Sequence, residues 1–217
     1  MRDRFRSLLE EELAGAGIAV SSGCLERLAA HFRLLERWNR SVRLVGSTEA
    51  SVVARRHMVE SLLLLPFIAE PAGSLLDIGS GNGFPAVALK CALPALRLVM
   101  MEPTARKAAF LQVLLAELDL SHATVVRDRV DRASDLARHG RFDCITMRAV
   151  AAIRPVLDGA VAALRPAGRL IFLVGESGAD LIAEYLRPPL ELLERRLIPG
   201  RRASYIVVVG LAERRAA

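Results

Sequence analysis

Hydrophobic residues recur along this chain with two different periods, and the change between them divides it near residue 70. In the first part they step by three and four, the spacing of a helix face. Phe5, Leu8, Leu9 and Leu13 share one such face, which Gly15 and Gly17 end. Leu25, Leu28, Phe32 and Leu35 form a second stripe behind a candidate N-cap at Ser22, with Arg27, Arg33, Glu36, Arg37 and Arg40 on the other faces. Trp38 continues that stripe and reads as a core or edge residue rather than a platform for a nucleic-acid base. Residues 39–57 are polar and at first short of helix formers. Arg55, Arg56 and His57 follow, where they could face an anion; the plainer reading is that His57 and Glu60 brace a helix running on through Leu62 to Leu65.

From residue 74 short apolar runs alternate with amphipathic segments, the pattern of parallel βαβ units. Strands are expected at 75–78, 97–102, 123–127, 142–147 and 169–174. Between them Phe110, Leu111, Leu114, Leu115 and Leu118 mark one helix face, and Val156, Leu157, Ala160 and Leu164 another. Two further runs, 190–197 and 204–210, are separated by too few residues for a helix, so they form a hairpin and bring an antiparallel strand to the end of the sheet. The expected fold is α/β: a Rossmann-like doubly wound sheet with a terminal antiparallel strand over residues 71–217, and an N-terminal helical extension over 1–70, packed as one globular unit.

Composition changes this picture little. The 217 residues are 53% hydrophobic, enough for a sizeable core. The longest apolar run, 62–69, is broken by Pro66 and is far short of the ~20 residues that span a membrane. The first 13 residues mix charged and apolar positions and lack the apolar core of an export signal. Cys24, Cys91 and Cys144 are odd in number, widely spaced and without metal-ligand spacing, which suits a reducing compartment; a cytoplasmic protein with no metal site is expected. A net charge of +6 and a pI near 10.0 favour an anionic partner such as nucleic acid, although arginine supplies nearly all of it, Lys90 and Lys107 being the only lysines.

The chemistry gathers at expected strand ends, where open α/β sheets bind ligands. Residues 74–102 read as strand, glycine turn, helix, strand. Asp77 interrupts an apolar run just where its strand should end, Gly79, Gly81 and Gly83 open the turn, and Pro85 suits the start of a helix. Glu102, 25 residues after Asp77, ends the second strand and can accept both hydroxyls of a ribose. The third end offers Arg127, Asp128, Arg129, Val130 and Asp131, whose amides and carboxylate could meet an adenine edge. The fourth offers Thr146, Met147, Arg148, Ala149 and Val150; Arg148 is a candidate substrate contact or the partner of a nearby acid.

Two cofactor classes use such a turn: dinucleotides and S-adenosylmethionine. The pattern G-x-G-x-x-G counted from Gly79 fails at Phe84, and counted from Gly81 needs Ala86 as its third small residue. Asp77 suits a methionine ammonium or a fixed glycine loop, and would repel a pyrophosphate by up to ~1 kcal/mol at 4 Å in water. Together with the G-x-G-x-G form and the terminal hairpin, it favours S-adenosylmethionine.

The stretches LLERWNRSVRLVG from Leu34, RRHMVESL from Arg55, LLDIGSGNGFPAVAL from Leu75, ARKAAFL from Ala105, RVD from Arg129 and MRAVA from Met147 resemble the glucose-inhibited division protein B family, the bacterial 16S ribosomal RNA guanine-N7 methyltransferases. The resemblance covers nearly the whole chain. It implies a class I S-adenosylmethionine-dependent methyltransferase fold, action on the small ribosomal subunit, and cofactor contacts at Gly79, Phe84, Val130, Asp131 and Arg148, beside those read from the residues at Asp77, Gly81, Gly83 and Glu102; a monomer is expected. Glu102 stands where the family commonly has aspartate, Asp131 and Glu60 are likewise acids of altered length, Ala86 replaces a usual glycine, and Val174 stands where a lysine often precedes Gly175. Guanine N7 carries an exposed lone pair, so the implied reaction needs no obligatory general base. No nucleophile and base constellation is found: His31, His122 and His139 have no convincing partners in the sequence. Arg129 and Arg148 are named only as candidate substrate-orienting groups. A small-molecule methyltransferase and a non-catalytic ribosome-assembly protein are the alternatives, and a dehydrogenase is a minor one.

Overall fold

The structure is a computed structural model that describes residues 2–148 and 153–212. Its first helix, α1 (Arg2–Gly15), buries Phe5, Leu9 and Leu13. The second, α2 (Ser22–Trp38), is capped by Ser21, whose Oγ accepts from the Cys24 amide at 3.2 Å, so the cap lies one residue earlier than the sequence suggested. Its apolar stripe meets α1 through stacked Phe5 and Phe32 rings 3.8 Å apart. Trp38 packs edge-on against Phe110, the core-edge role expected of it. Asn39 then turns the chain: its Oδ1 accepts from the amides of Leu44 and Val45.

The third helical stretch is not uniform. Helix α3 (Ala50–Val53) passes through a π-helical segment, Ala54–Val59, into α4 (Glu60–Leu62). A π turn accommodates one extra residue and displaces carbonyls from the regular ladder.

The sheet has the order β3-β2-β1-β4-β5-β7-β6. Strands β1 (Ser74–Ile78), β2 (Arg97–Met101), β3 (Ala123–Val126), β4 (Phe142–Met147) and β5 (Leu164–Gly175) pair in parallel. β6 (Leu190–Leu197) and β7 (Ser204–Leu211) form the expected hairpin. β7, last in the chain, is not the edge: it inserts antiparallel between β5 and β6. Helices α5 (Ala86–Ala92), α6 (Ala105–Glu117), α7 (Ala133–Ala137), α8 (Ile153–Ala163) and α9 (Glu176–Tyr185) connect the strands. Leu164, expected on the α8 face, instead opens β5 and is buried there.

Adjacent strand residues face opposite layers. Leu75, Leu98, Met100 and Ile171 pack with α1, α2, α5 and α6, whereas Leu76, Met101, Ile145 and Phe172 pack with α8 and α9. The N-terminal helices therefore share one core with one face of the sheet. Fully buried residues such as Leu9 and Leu28 each stabilise it by about 2 kcal/mol through burial alone. Among the described residues no helix is long and apolar enough to cross a membrane.

Candidate active site

The strand order reverses between β1 and β4, which both leave the sheet beside the glycine turn. That turn is tied to the end of β2: the amides of Gly79 and Ser80 both donate to the Met101 carbonyl, at 2.8 and 3.0 Å. Gly79, Gly81 and Gly83 all have positive φ. They serve different ends. A Cβ on Gly83 would lie 3.1 Å from His31, Leu114 and Val87, so this glycine lets the turn close onto the N-terminal layer. A Cβ on Gly79 would meet nothing within 4 Å among the described residues, so the turn is open there.

Glu102 closes the other side and is almost fully buried. Its Oε2 accepts from the Gly81 amide at 3.0 Å and its Oε1 from the Thr104 amide at 2.8 Å. Each oxygen retains a lone pair, and the carboxylate is rigidly presented. Asp77 is also buried. Its Oδ1 accepts from Thr146 Oγ1 at 2.7 Å across the β1–β4 register, while Oδ2 has no partner among the described residues. Burial pushes its pKa up to about 6.

Phe84 does not turn its ring to the open side of the turn. It is sandwiched between His31, with centroids 4.3 Å apart, and His57, 5.4 Å away. His31 Nε2 donates to the Asn82 carbonyl at 2.8 Å, and Asn82 Oδ1 accepts from the Phe84 amide. Burial holds both imidazoles neutral, pushing their pKa down to about 4 for His31 and about 3 for His57. No partner for His31 is evident in the sequence; the structure supplies two. His139 likewise has one, Asp128, at 2.9 Å.

After β3, Val130 is buried in the core, while Arg129 and Asp131 pair at 2.8 Å on the exposed rim. The Asp131 amide, a candidate for an adenine edge, donates to Asp135 Oδ2 at 3.0 Å instead. Arg148, just beyond β4, is largely enclosed. Its Nη2 donates to Glu60 Oε2 at 2.9 Å and to the Arg56 carbonyl, and Nη1 is buried with no partner among the described residues. Burial pulls its pKa below the usual arginine value. Of the two sequence readings of Arg148, the structure shows the pairing with a nearby acid. Ala149 and Val150, and with them most of MRAVA, lie outside the described residues.

Glu60 also accepts from Arg201 Nε, at 2.8 Å, on the β6–β7 turn. Glu60, Arg55, Arg56 and Arg201 line a groove of about 770 Å³ to which the glycine turn contributes no residue. Thr146, read from the sequence only as part of the fourth strand end, gains its partner Asp77 from the β1–β4 register, and Arg201 was given no role in the site.

The unpartnered atoms test the cofactor. Asp77 Oδ2 is a buried acceptor and Arg148 Nη1 a buried donor, and Asp77 is among the charges acting on Arg148. An ammonium and a carboxylate on one ligand, as at the methionine end of S-adenosylmethionine, would satisfy both. Among the described residues no three His, Cys, Asp or Glu side chains gather as a metal ligand set.

A family model described as rRNA small subunit methyltransferase G matches residues 24–188. The chain belongs to that family. A protein named ribosomal RNA small subunit methyltransferase G from Halorhodospira halophila is 32% identical over 195 residues, covering 90% of each chain. One of the same name from Anaeromyxobacter is 37% identical over 181 residues, covering 83% of each. Among solved structures, TrmN from Thermus thermophilus superposes with a TM-score of 0.60 at 22% identity, over 70% of this chain and 48% of that one. A ribosomal protein L11 methylase from Lactobacillus delbrueckii also gives 0.60, at 14% identity over 73% and 80%. These likenesses carry the class I methyltransferase fold; the family carries dependence on S-adenosylmethionine.

Proposed function

We propose that this protein transfers a methyl group from S-adenosylmethionine to N7 of a guanine in 16S ribosomal RNA of the small ribosomal subunit. Membership of the small-subunit methyltransferase family over residues 24–188 is the observation that carries this reading. When bound, S-adenosylmethionine supplies an electrophilic methyl on its sulfonium.

The chain's own residues do the rest by position. Glu102 at the end of β2 accepts the ribose hydroxyls. On this reading the adenine lies toward Val130 and Asp131 and the methionine end toward Asp77 and Arg148, an arrangement that the order β3-β2-β1-β4 supports. Asp77 Oδ2 accepts from the ammonium and Arg148 Nη1 donates to the carboxylate. Phe84, fixed between two neutral imidazoles, holds the turn's far wall without touching the ligand through its ring. The guanine N7 lone pair needs no base, so orientation and exclusion of water supply the rate.

The exposed Arg55 and Arg56 on the groove beside Arg148 suit the RNA backbone. On this reading the protein is a cytoplasmic monomer of two parts, the helical extension 1–70 and the catalytic unit 71–217. The test is incubation of purified protein with labelled S-adenosylmethionine and either naked 16S RNA or small subunits from cells lacking it. Label on guanine N7 is expected in at least one substrate; none in either, with small-molecule acceptors labelled instead, overturns the reading.

A further inference from the structure

Among the described residues, the hydrogen bonds that hold Arg148 come from the N-terminal extension. Arg56 lies in the π-helical segment, and the Glu60 amide that closes it donates to the Arg55 carbonyl, five residues back, and to that of His57. Within this turn the Arg56 carbonyl turns to Arg148 Nη2, and Glu60 Oε2 meets the same nitrogen. Two acceptors thus converge on one end of the guanidinium. The other end, Nη1, is left buried and without a partner among the described residues.

A contact built only to hold the extension against the sheet would leave no such remainder, because a buried donor without an acceptor gives up its hydration and gains nothing in return. Glu60 itself is buried, with one oxygen on Arg148 and the other on Arg201. Its carboxylate is therefore immobile between two cations, and it fixes the plane in which Arg148 lies. We propose that Glu60, with the Arg56 carbonyl of the π turn, is a positioning residue: it aims Nη1 of Arg148 at the carboxylate of the cofactor's methionine end. This rests on the cofactor placement proposed above, but not on the identity of the RNA.

Calorimetry without RNA tests it, using two ligands that differ only in whether they carry the amino-acid end: S-adenosylhomocysteine and 5′-methylthioadenosine. Glu60→Gln removes the charge and one acceptor. It is expected to weaken S-adenosylhomocysteine about tenfold, the usual scale for loss of an orienting partner, while methylthioadenosine stays within about twofold. Glu60→Asp keeps the charge but cannot reach both arginines, and is expected to weaken S-adenosylhomocysteine about threefold with methylthioadenosine again unmoved. Equal loss for the two ligands, or no loss for either, in whichever variant folds, overturns the proposal, since a merely structural Glu60 would not distinguish them. Wild-type protein that binds no S-adenosylhomocysteine would instead overturn the cofactor placement beneath it.

Discussion

The two sides of the strand-order reversal are held by contacts of very different reach. On the β1–β2 side the glycine turn, Met101, Glu102 and Thr104 bind one another across at most some two dozen residues of chain. On the β4 side Arg148 is held by Arg56 and Glu60, 92 and 88 residues away, and Glu60 by Arg201, 141 residues away. The first side is closed by local backbone ties and has one open face, and its far wall leans on the extension through His31. The second exists only once the extension, β4 and the β6–β7 turn have met. Damage to the first should therefore remove the ligand's seat outright, whereas damage to the second should loosen one end of the ligand.

Gly79→Arg breaks the first side most severely. The turn is open where this side chain would go, and φ there is +73°. S-adenosylmethionine binding by calorimetry should fall by more than about 100-fold, since both the space and the unstrained turn are lost. Retained binding would mean that the open face is not the seat.

Asp77→Asn separates charge from shape. Because burial raises the Asp77 pKa from 3.8 to about 6, its stabilising contribution is whole below pH about 4 and is lost as pH rises through about 6. A rise of that size corresponds to about 3 kcal/mol. The ligand-free variant should thus be more stable than wild type at pH 7 by up to about 3 kcal/mol in chemical denaturation, with the gain gone near pH 4, while S-adenosylmethionine binds about tenfold more weakly. His31 and His57 act with the opposite sign. Their lowered pKa values give stability that is whole above pH 6.5 and lost as pH falls toward about 4 and about 3. The difference between wild type and variant isolates Asp77 from them.

Arg55→Glu with Arg56→Glu should have the smallest effect on the ligand and act on the second side alone. The Arg56 carbonyl that holds Arg148 survives the change of side chain. Cofactor affinity should stay within about twofold, whereas methylation of RNA should slow several-fold and the salt slope of RNA binding should drop by roughly one for each phosphate no longer neutralised. Equal loss of both would mean that the two sides are not separable.

The same division explains what could be read in advance. β1, the glycine turn and Glu102 were legible because pattern and chemistry lie within one short stretch. The extension's two main helices were legible from their apolar stripes. The π segment was not, since ARRHMV has the composition of an ordinary helix, and its geometry is set by what Arg56 and Glu60 meet in space. The hairpin was legible but its place was not: β5, β6 and β7 are all apolar enough to pair, and only the crossover through α9 leaves the gap that β7 fills. His31 looked unpartnered because Asn82 and Phe84 lie more than fifty residues away.

The central claim is methyl transfer to guanine N7 of the small-subunit RNA, and site mapping tests it most directly. 16S RNA from cells with and without this protein would be cleaved chemically at 7-methylguanosine and the breaks located by primer extension. One break present in wild-type RNA, absent without the protein and restored by it but not by its Gly79→Arg variant, is the predicted result. An identical set of breaks with and without the protein would contradict the account.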